Sequence, residues 1–152
     1  EISRGDWSSD VCSSDLSAGY GIRLAEFPTT VEAASACRDH GIAVMMGAPN
    51  LMRGGSHSGN VAAQDLARAG MLDIVSSDYV PGALLSAALM LGDLYGSVAR
   101  GFASVTSAPA HACGLNDRGE IGLGLRADLV RVQQIDEAAI VRGLWVGGAR
   151  VA

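Results

Sequence analysis

The densest concentration of groups able to do chemistry is the run Gly47-Ala48-Pro49-Asn50-Leu51-Met52-Arg53-Gly54-Gly55-Ser56-His57-Ser58-Gly59-Asn60. It supplies one guanidinium, a glycine pair, two hydroxyls, an imidazole and two side-chain amides. Such a segment can wrap an anion, because glycine lets backbone N–H groups approach closely and arginine forks onto phosphate oxygens. Asn60 reads as the cap of a following helix, whose N-terminus would add a favourable dipole. Asn50, Arg53, Gly54, Gly55, Ser56 and Ser58 are therefore candidate substrate contacts, and His57 a candidate hydrogen-bond donor or proton-transfer partner. The run is no Walker A loop, since lysine is missing and the spacing differs. The plainer alternative is a long loop held by its own side-chain hydrogen bonds.

A carboxylate follows in Ser76-Ser77-Asp78, just after an apolar stretch. In that position Asp78 can bind a divalent metal, take a proton from water, or cap the next helix. Glu26 closes an earlier apolar run and would face the same side as a ligand or substrate contact, or as a salt-bridged rim residue. His40, beside Gly41, reads as a partner of a helix C-terminus, and His111 reads as packed within a short helix. No two histidines are spaced as HxH or HxxxH, so these residues cannot hold a metal by themselves. Every basic residue is arginine, which excludes a lysine base, Schiff base or carbamate from within the chain.

The elements that must position these groups alternate. Ile22–Phe27 reads as a short strand stopped by Pro28. Thr29 or Thr30 then caps a helix whose inward residues would be Val31, Ala34 and Cys37, with Gly41 beyond its end. Ile42–Met46 is the next strand, continuous and apolar as expected when both faces are buried. Gly47–Gly59 reads as a loop, Val61–Ala69 as a helix closed by Gly70, and Leu72–Val75 as a third strand. A long helix opens at Pro81 and runs to about Leu94; further helices span Val98–Val105 and follow Pro109. From Gly119 the pattern turns to strands: one after Gly119-Glu120-Ile121, then Ala127–Val132, Ile140–Val146 and, after a Gly147-Gly148 hairpin turn, Ala149–Val151.

Three strand–helix units in series imply parallel strands with covering helices, adjacent in chain order. A flavodoxin-like open sheet and a (β/α)8 barrel both satisfy this. The barrel is favoured because Glu26, the Asn50–Asn60 stretch and Asp78 all follow strands, and barrel active sites lie at the C-terminal face.

The chain has 152 residues, 49% of them hydrophobic and 18% charged, with a formal charge of −5. That composition is globular rather than disordered, and the length allows about one domain. An acidic chain without a basic run is a poor binder of nucleic acid or membrane surfaces. Cys12, Cys37 and Cys113 are odd in number and widely spaced, so they read as free thiols of a reducing, cytoplasmic compartment. Oligomerisation stays open. Residues 1–16 share neither the period nor the composition of residues 17–152. Asp6–Leu16 back-translates codon by codon into a common sequencing-library adapter, so this stretch is expected not to be native, leaving the chain a fragment whose upstream part is missing.

Asp117-Arg118-Gly119-Glu120-Ile121 followed by Gly122-Leu123-Gly124-Leu125-Arg126-Ala127-Asp128-Leu129-Val130 resembles the C-terminal signature of the amidohydrolase superfamily; the family form usually has Lys where this chain has Leu125. Ala25-Glu26-Phe27-Pro28-Thr29-Thr30, the Gly47–Asn60 run and Ser76-Ser77-Asp78-Tyr79 resemble, more specifically, the phosphonate-catabolism diphosphatases of that superfamily. The resemblance covers about Tyr20–Ala152. It implies the C-terminal part of a (β/α)8 metal-dependent hydrolase barrel, its last three βα units in 17–115, with returning strands of a small composite β-sandwich in 116–152. It implies a phosphoanhydride hydrolase that releases pyrophosphate from a phosphorylated ribosyl phosphonate with a divalent metal (zinc, manganese or iron). Asp78 matches the residue that binds metal and handles the water proton; the remaining ligands would lie upstream, leaving this fragment inactive. Another amidohydrolase, such as a deaminase or cyclic-amide hydrolase, would use Asp78 equally well. A non-catalytic module binding a phosphorylated ligand would need no metal.

Overall fold

The structure is a computed structural model that describes residues 16–55, 59–136 and 138–152. The expectations for Ser56, His57 and Ser58, and the adapter reading for residues 1–15, lie outside the described residues. The chain divides into two units, one ending at Ser76 and the other beginning at Ser77.

The first unit holds three short strands, β1 (Leu24–Glu26), β2 (Ala43–Gly47) and β3 (Ile74–Ser76). They pair in the order β1-β2-β3, parallel throughout, as the alternation predicts. Helix α1 (Val31–Asp39) joins β1 to β2 and packs on β2. Thr30 caps it, its hydroxyl accepting from the Ala33 N–H at 3.1 Å. The buried face is Ala33, Ala34 and Ala36; of the expected Val31, Ala34 and Cys37, Ala34 is buried, Cys37 is partly covered and Val31 is exposed. The alanines decide the orientation, because small side chains let the helix lie closest to the sheet.

Between β2 and β3 the expected loop contains a helix, α2 (Ala48–Arg53), followed by α3 (Ala63–Arg68). Pro49 stands in the first turn of α2 and Gly54 ends it in the left-handed conformation (φ 75°). Those residues read as loop formers, yet proline at a helix start and glycine just past its end also bracket a helix. Helix α3 is shorter than expected, with Ala62 rather than Asn60 at its N-cap.

Strand alternation and register assign two faces to this sheet. Ala25, Val44, Met46 and Val75 share one; Leu24, Glu26, Ala43, Met45, Gly47, Ile74 and Ser76 share the other. Val44, Met46 and Val75 are buried, as is Ile74 on the opposite face, whereas Met45 there is half-buried and Glu26 is exposed. Below the strands, Asp73 accepts from the Val44 N–H at 2.9 Å and pairs with Arg38 at 3.1 Å, fixing the approach to β3.

The second unit begins with a 3-10 turn, Pro81–Ala83, that runs into α4 (Leu84–Tyr95), then α5 (Val98–Ala103) and α6 (Ser107–Ala112). Helix α6 starts before Pro109 rather than after it, and His111 is exposed rather than packed. The strands β4 (Leu129–Ile135), β5 (Ala138–Val146) and β6 (Ala149–Arg150) form an antiparallel sheet in that order. No strand follows Gly119: Ile121 is exposed, and the Leu125 N–H donating to the Gly122 carbonyl makes a turn there. Helix α4 also packs on β5.

Candidate functional site

The carboxyl ends of parallel strands are where ligands bind in open and closed α/β sheets alike. In the first unit that edge is made of Glu26, Gly47 and Ser76, with the segments that leave them. Phe27, directly after Glu26, has a left-handed backbone (φ 57°), while its N–H continues the ladder onto the Met45 carbonyl at 2.9 Å. A bulky residue rarely adopts that conformation, and the strain marks where β1 is turned off its course. The Thr29 carbonyl then accepts from the Val61 N–H at 2.9 Å, so the segment after β1 is tied to the one before α3.

The candidate residues of α2 have defined places. The Asn50 side chain Oδ1 accepts from the Ala63 N–H at 3.0 Å, giving α3 the cap that Ala62 cannot supply. The Gly54 N–H donates to the carbonyls of Asn50 and Leu51 at 3.1 and 3.2 Å, and the Gly55 N–H to that of Asn50 at 3.2 Å. These two N–H groups, expected to face an anion, close the C-terminus of α2 instead. Gln64 adds a bond from its Nε2 to the Leu51 carbonyl at 3.1 Å. Arg53 lies in the last turn of α2 and is exposed, a placement that complements the negative end of the helix. Cys37 on α1 is partly covered, and burial pushes its thiol pKa up.

One group at this edge was not singled out by sequence. The Ser76 Oγ at the end of β3 is buried with no hydrogen-bond partner among the described residues. A serine at a strand end carries no distinguishing pattern, and only the three-dimensional setting makes it stand out.

In the second unit, Asp78 is exposed and, like Phe27, holds a left-handed backbone (φ 50°). The Val80 N–H donates to the Ser77 carbonyl at 3.1 Å, so Asp78 stands within a tight turn ahead of Pro81. Among the described residues, no three His, Cys, Asp or Glu come together in a way that could hold a metal ion. The described residues thus do not by themselves make a metal centre. The segment that resembles the superfamily signature is held by charge-assisted bonds. Arg118 pairs with Asp117 at 2.8 Å and Arg126 with Asp128 at 2.7 Å. Asp128 also accepts from the Gly147 N–H at 2.8 Å. The Arg118 guanidinium holds the Asp117 carboxyl below its ordinary pKa; Arg126, then the Gly147 N–H, does the same for Asp128. A groove along α1 is lined by Glu32, Ser35, Ala36, Asp39 and His40. Among the described residues no helix is long and apolar enough to cross a membrane.

No protein-family model matches the chain. It is 52% identical to the alpha-D-ribose 1-methylphosphonate 5-triphosphate diphosphatase of Escherichia coli K12 across 86% of its own residues, and it spans 35% of that protein's length. Among solved structures it is similar to a prolidase crystallised with N-methylphosphonate-L-proline (TM-score 0.66, 19% identity), covering 93% of this chain and 43% of that one. It is also similar to an amidohydrolase from Thermotoga maritima MSB8 (TM-score 0.51, 15% identity), covering 80% and 40% respectively. The chain is therefore a relative of part of the Escherichia coli diphosphatase, built on the fold that it shares with the prolidase and amidohydrolase structures.

Proposed function

We propose that this chain is the C-terminal part of a phosphoanhydride hydrolase that releases pyrophosphate from alpha-D-ribose 1-methylphosphonate 5-triphosphate. The single observation that carries the reading is the 52% identity to the diphosphatase. In this reading β1, β2 and β3 are the last strands of a (β/α)8 barrel, β4 to β6 belong to a composite β-sandwich, residues 1–16 are not native, and activity requires residues beyond this chain. Water attacks a phosphorus atom, the phosphoanhydride P–O bond breaks, and pyrophosphate leaves with the bonding pair. Asp78 takes the proton from the attacking water. With the Gly54 and Gly55 N–H groups engaged in capping, the counter-charge to the phosphates falls to the Arg53 guanidinium, and hydrogen bonding to Ser56, His57 and Ser58. Asn50 acts by holding α2 to α3, and Glu26 takes neutral hydroxyls of the ribose. A divalent metal such as zinc, manganese or iron would need ligands beyond the described residues.

The test is phosphorus NMR of the longer protein carrying this segment, incubated with the ribosyl methylphosphonate triphosphate. The expected products are one pyrophosphate and one 5-monophosphate per substrate. Stepwise release of single phosphates, or no reaction with this substrate beside turnover of a cyclic amide, overturns the assignment. Arg53→Ala should lower kcat/KM roughly ten- to a hundredfold on the triphosphate, the worth of a charge-assisted contact. Equal losses on triphosphate and monophosphate substrates would leave Arg53 a helix-ordering role alone.

A further inference from the structure

We propose that Ser76 is a binding residue of this site, its hydroxyl donating a hydrogen bond to a phosphoryl oxygen of the substrate; the inference rests on the hydrolase reading above. Three observations converge on it. The Ser76 Oγ is buried and unpartnered among the described residues, a condition that natural folds rarely leave unexplained because a buried hydroxyl without a partner is costly. Ser76 is the last residue of β3, at the carboxyl end of the parallel sheet, where ligands of this architecture lie. Its register partner across β2 is Gly47, which offers no side chain to occupy the hydroxyl.

The sheet geometry also says which part of the ligand belongs here. Ser76 and Glu26 share a face, with β2 between their strands, and Ser76 stands two residues further toward the carboxyl edge than Ile74, the residue level with Glu26. Strand spacing and rise separate the two by roughly 12 Å. A carboxylate repels phosphate and accepts from sugar hydroxyls, whereas a serine hydroxyl donates to an anion without repelling it. A ribosyl polyphosphate with its sugar toward Glu26 brings its phosphates to Ser76. With the N–H groups of Gly54 and Gly55 closed, the Ser76 hydroxyl adds a donor to those of Arg53.

The experiment compares wild type, Ser76→Ala and Ser76→Thr in the longer protein. It measures kcat and KM on the ribosyl triphosphate, calorimetric binding of inorganic tripolyphosphate, and the unliganded thermal midpoint. Ser76→Ala should keep or raise the midpoint, because it removes an unpartnered polar group. It should weaken tripolyphosphate binding and kcat/KM by ten- to a hundredfold, as loss of a bond to a charged group does. Ser76→Thr keeps the hydroxyl and should recover most of the loss. A lowered midpoint in Ser76→Ala, with or without loss of turnover, means that the hydroxyl is structural and overturns the proposal. So does tripolyphosphate binding within twofold of wild type, or a wild type that binds no tripolyphosphate. A wild type that binds tripolyphosphate through Ser76 but does not cleave the ribosyl triphosphate leaves the Ser76 proposal standing and defeats the diphosphatase reading alone.

Discussion

The Asn50 side chain accepts a hydrogen bond from the Ala63 N–H at 3.0 Å, so a residue inside one short helix caps the start of the next. Helix α3 has no side-chain cap of its own, and a six-residue helix is far too short to stand without tertiary support. Asn50→Ala should therefore destabilise the fold by about 1 kcal/mol, the usual worth of an N-cap. Asn50→Asp keeps the acceptor oxygen and adds a charge favourable at a helix start, so it should stay near wild type. Urea denaturation of both variants measures the difference. Equal midpoints for Ala and Asp would mean that the bond contributes nothing.

Asp78→Asn is expected to leave the thermal midpoint within a degree or two and to lower pyrophosphate release at least about a hundredfold, the lower end for loss of a general base. Asparagine is the right replacement because Asp78 has a left-handed backbone, which asparagine tolerates and alanine does not. A variant releasing pyrophosphate at near wild-type rate removes Asp78 from the mechanism.

Much of the first unit was legible in sequence, and its failures have local causes. A cap at Thr29 or Thr30, the strand β2 and the parallel order follow from capping chemistry and apolar runs, and the structure selects Thr30. Helix α2 did not, because Gly47, Pro49, Asn50 and Gly54 are loop formers by composition and helix brackets only by position. On α1 hydrophobicity points to Val31 and Cys37 beside Ala34, while close packing on the sheet selects alanine. At the site, residue types suggested an anion loop, but type does not say whether a glycine N–H is free. Gly54 and Gly55 spend theirs on α2. Ser76 was invisible for the converse reason: its interest lies in having no partner, a property of packing alone.

Gly101 of α5 meets α4 at backbone contact: a Cβ there would collide with the Ala88 carbonyl and the Gly92 backbone. Backbone atoms cannot rotate away as a side chain can, so Gly101→Ala should cost about 1–3 kcal/mol or more by forcing the helices apart. Gly82→Ala is the control, since a Cβ at Gly82 meets nothing within 4 Å. Thermal unfolding should separate the two; similar midpoints would mean that α4 and α5 are not in register as described.

The carboxylate of Asp128 holds the β5–β6 hairpin, accepting from the Gly147 N–H at 2.8 Å through one oxygen and from Arg126 at 2.7 Å through the other. Both bonds favour the charged form, Arg126 more strongly, so the folded pKa lies below the ordinary value. A depressed folded pKa means that the contribution is complete above the unfolded value, about 3.9, and is lost as pH falls through the folded value. The hairpin should therefore be unchanged from neutral pH to about pH 4 and loosen only in stronger acid. The effect is modest and should shrink in high salt, because Arg126 and Asp128 are partly solvent-exposed. The direct readout is the amide chemical shift of Gly147 followed by NMR during acid titration. It should report a midpoint below the usual carboxylate range. In Asp128→Asn the shift should not titrate with this group, since the amide oxygen still accepts from Gly147 but carries no charge. A midpoint at or above the ordinary carboxylate value would show that Arg126 and Gly147 do not stabilise the anion, and that the turn holds by its Gly147-Gly148 backbone alone.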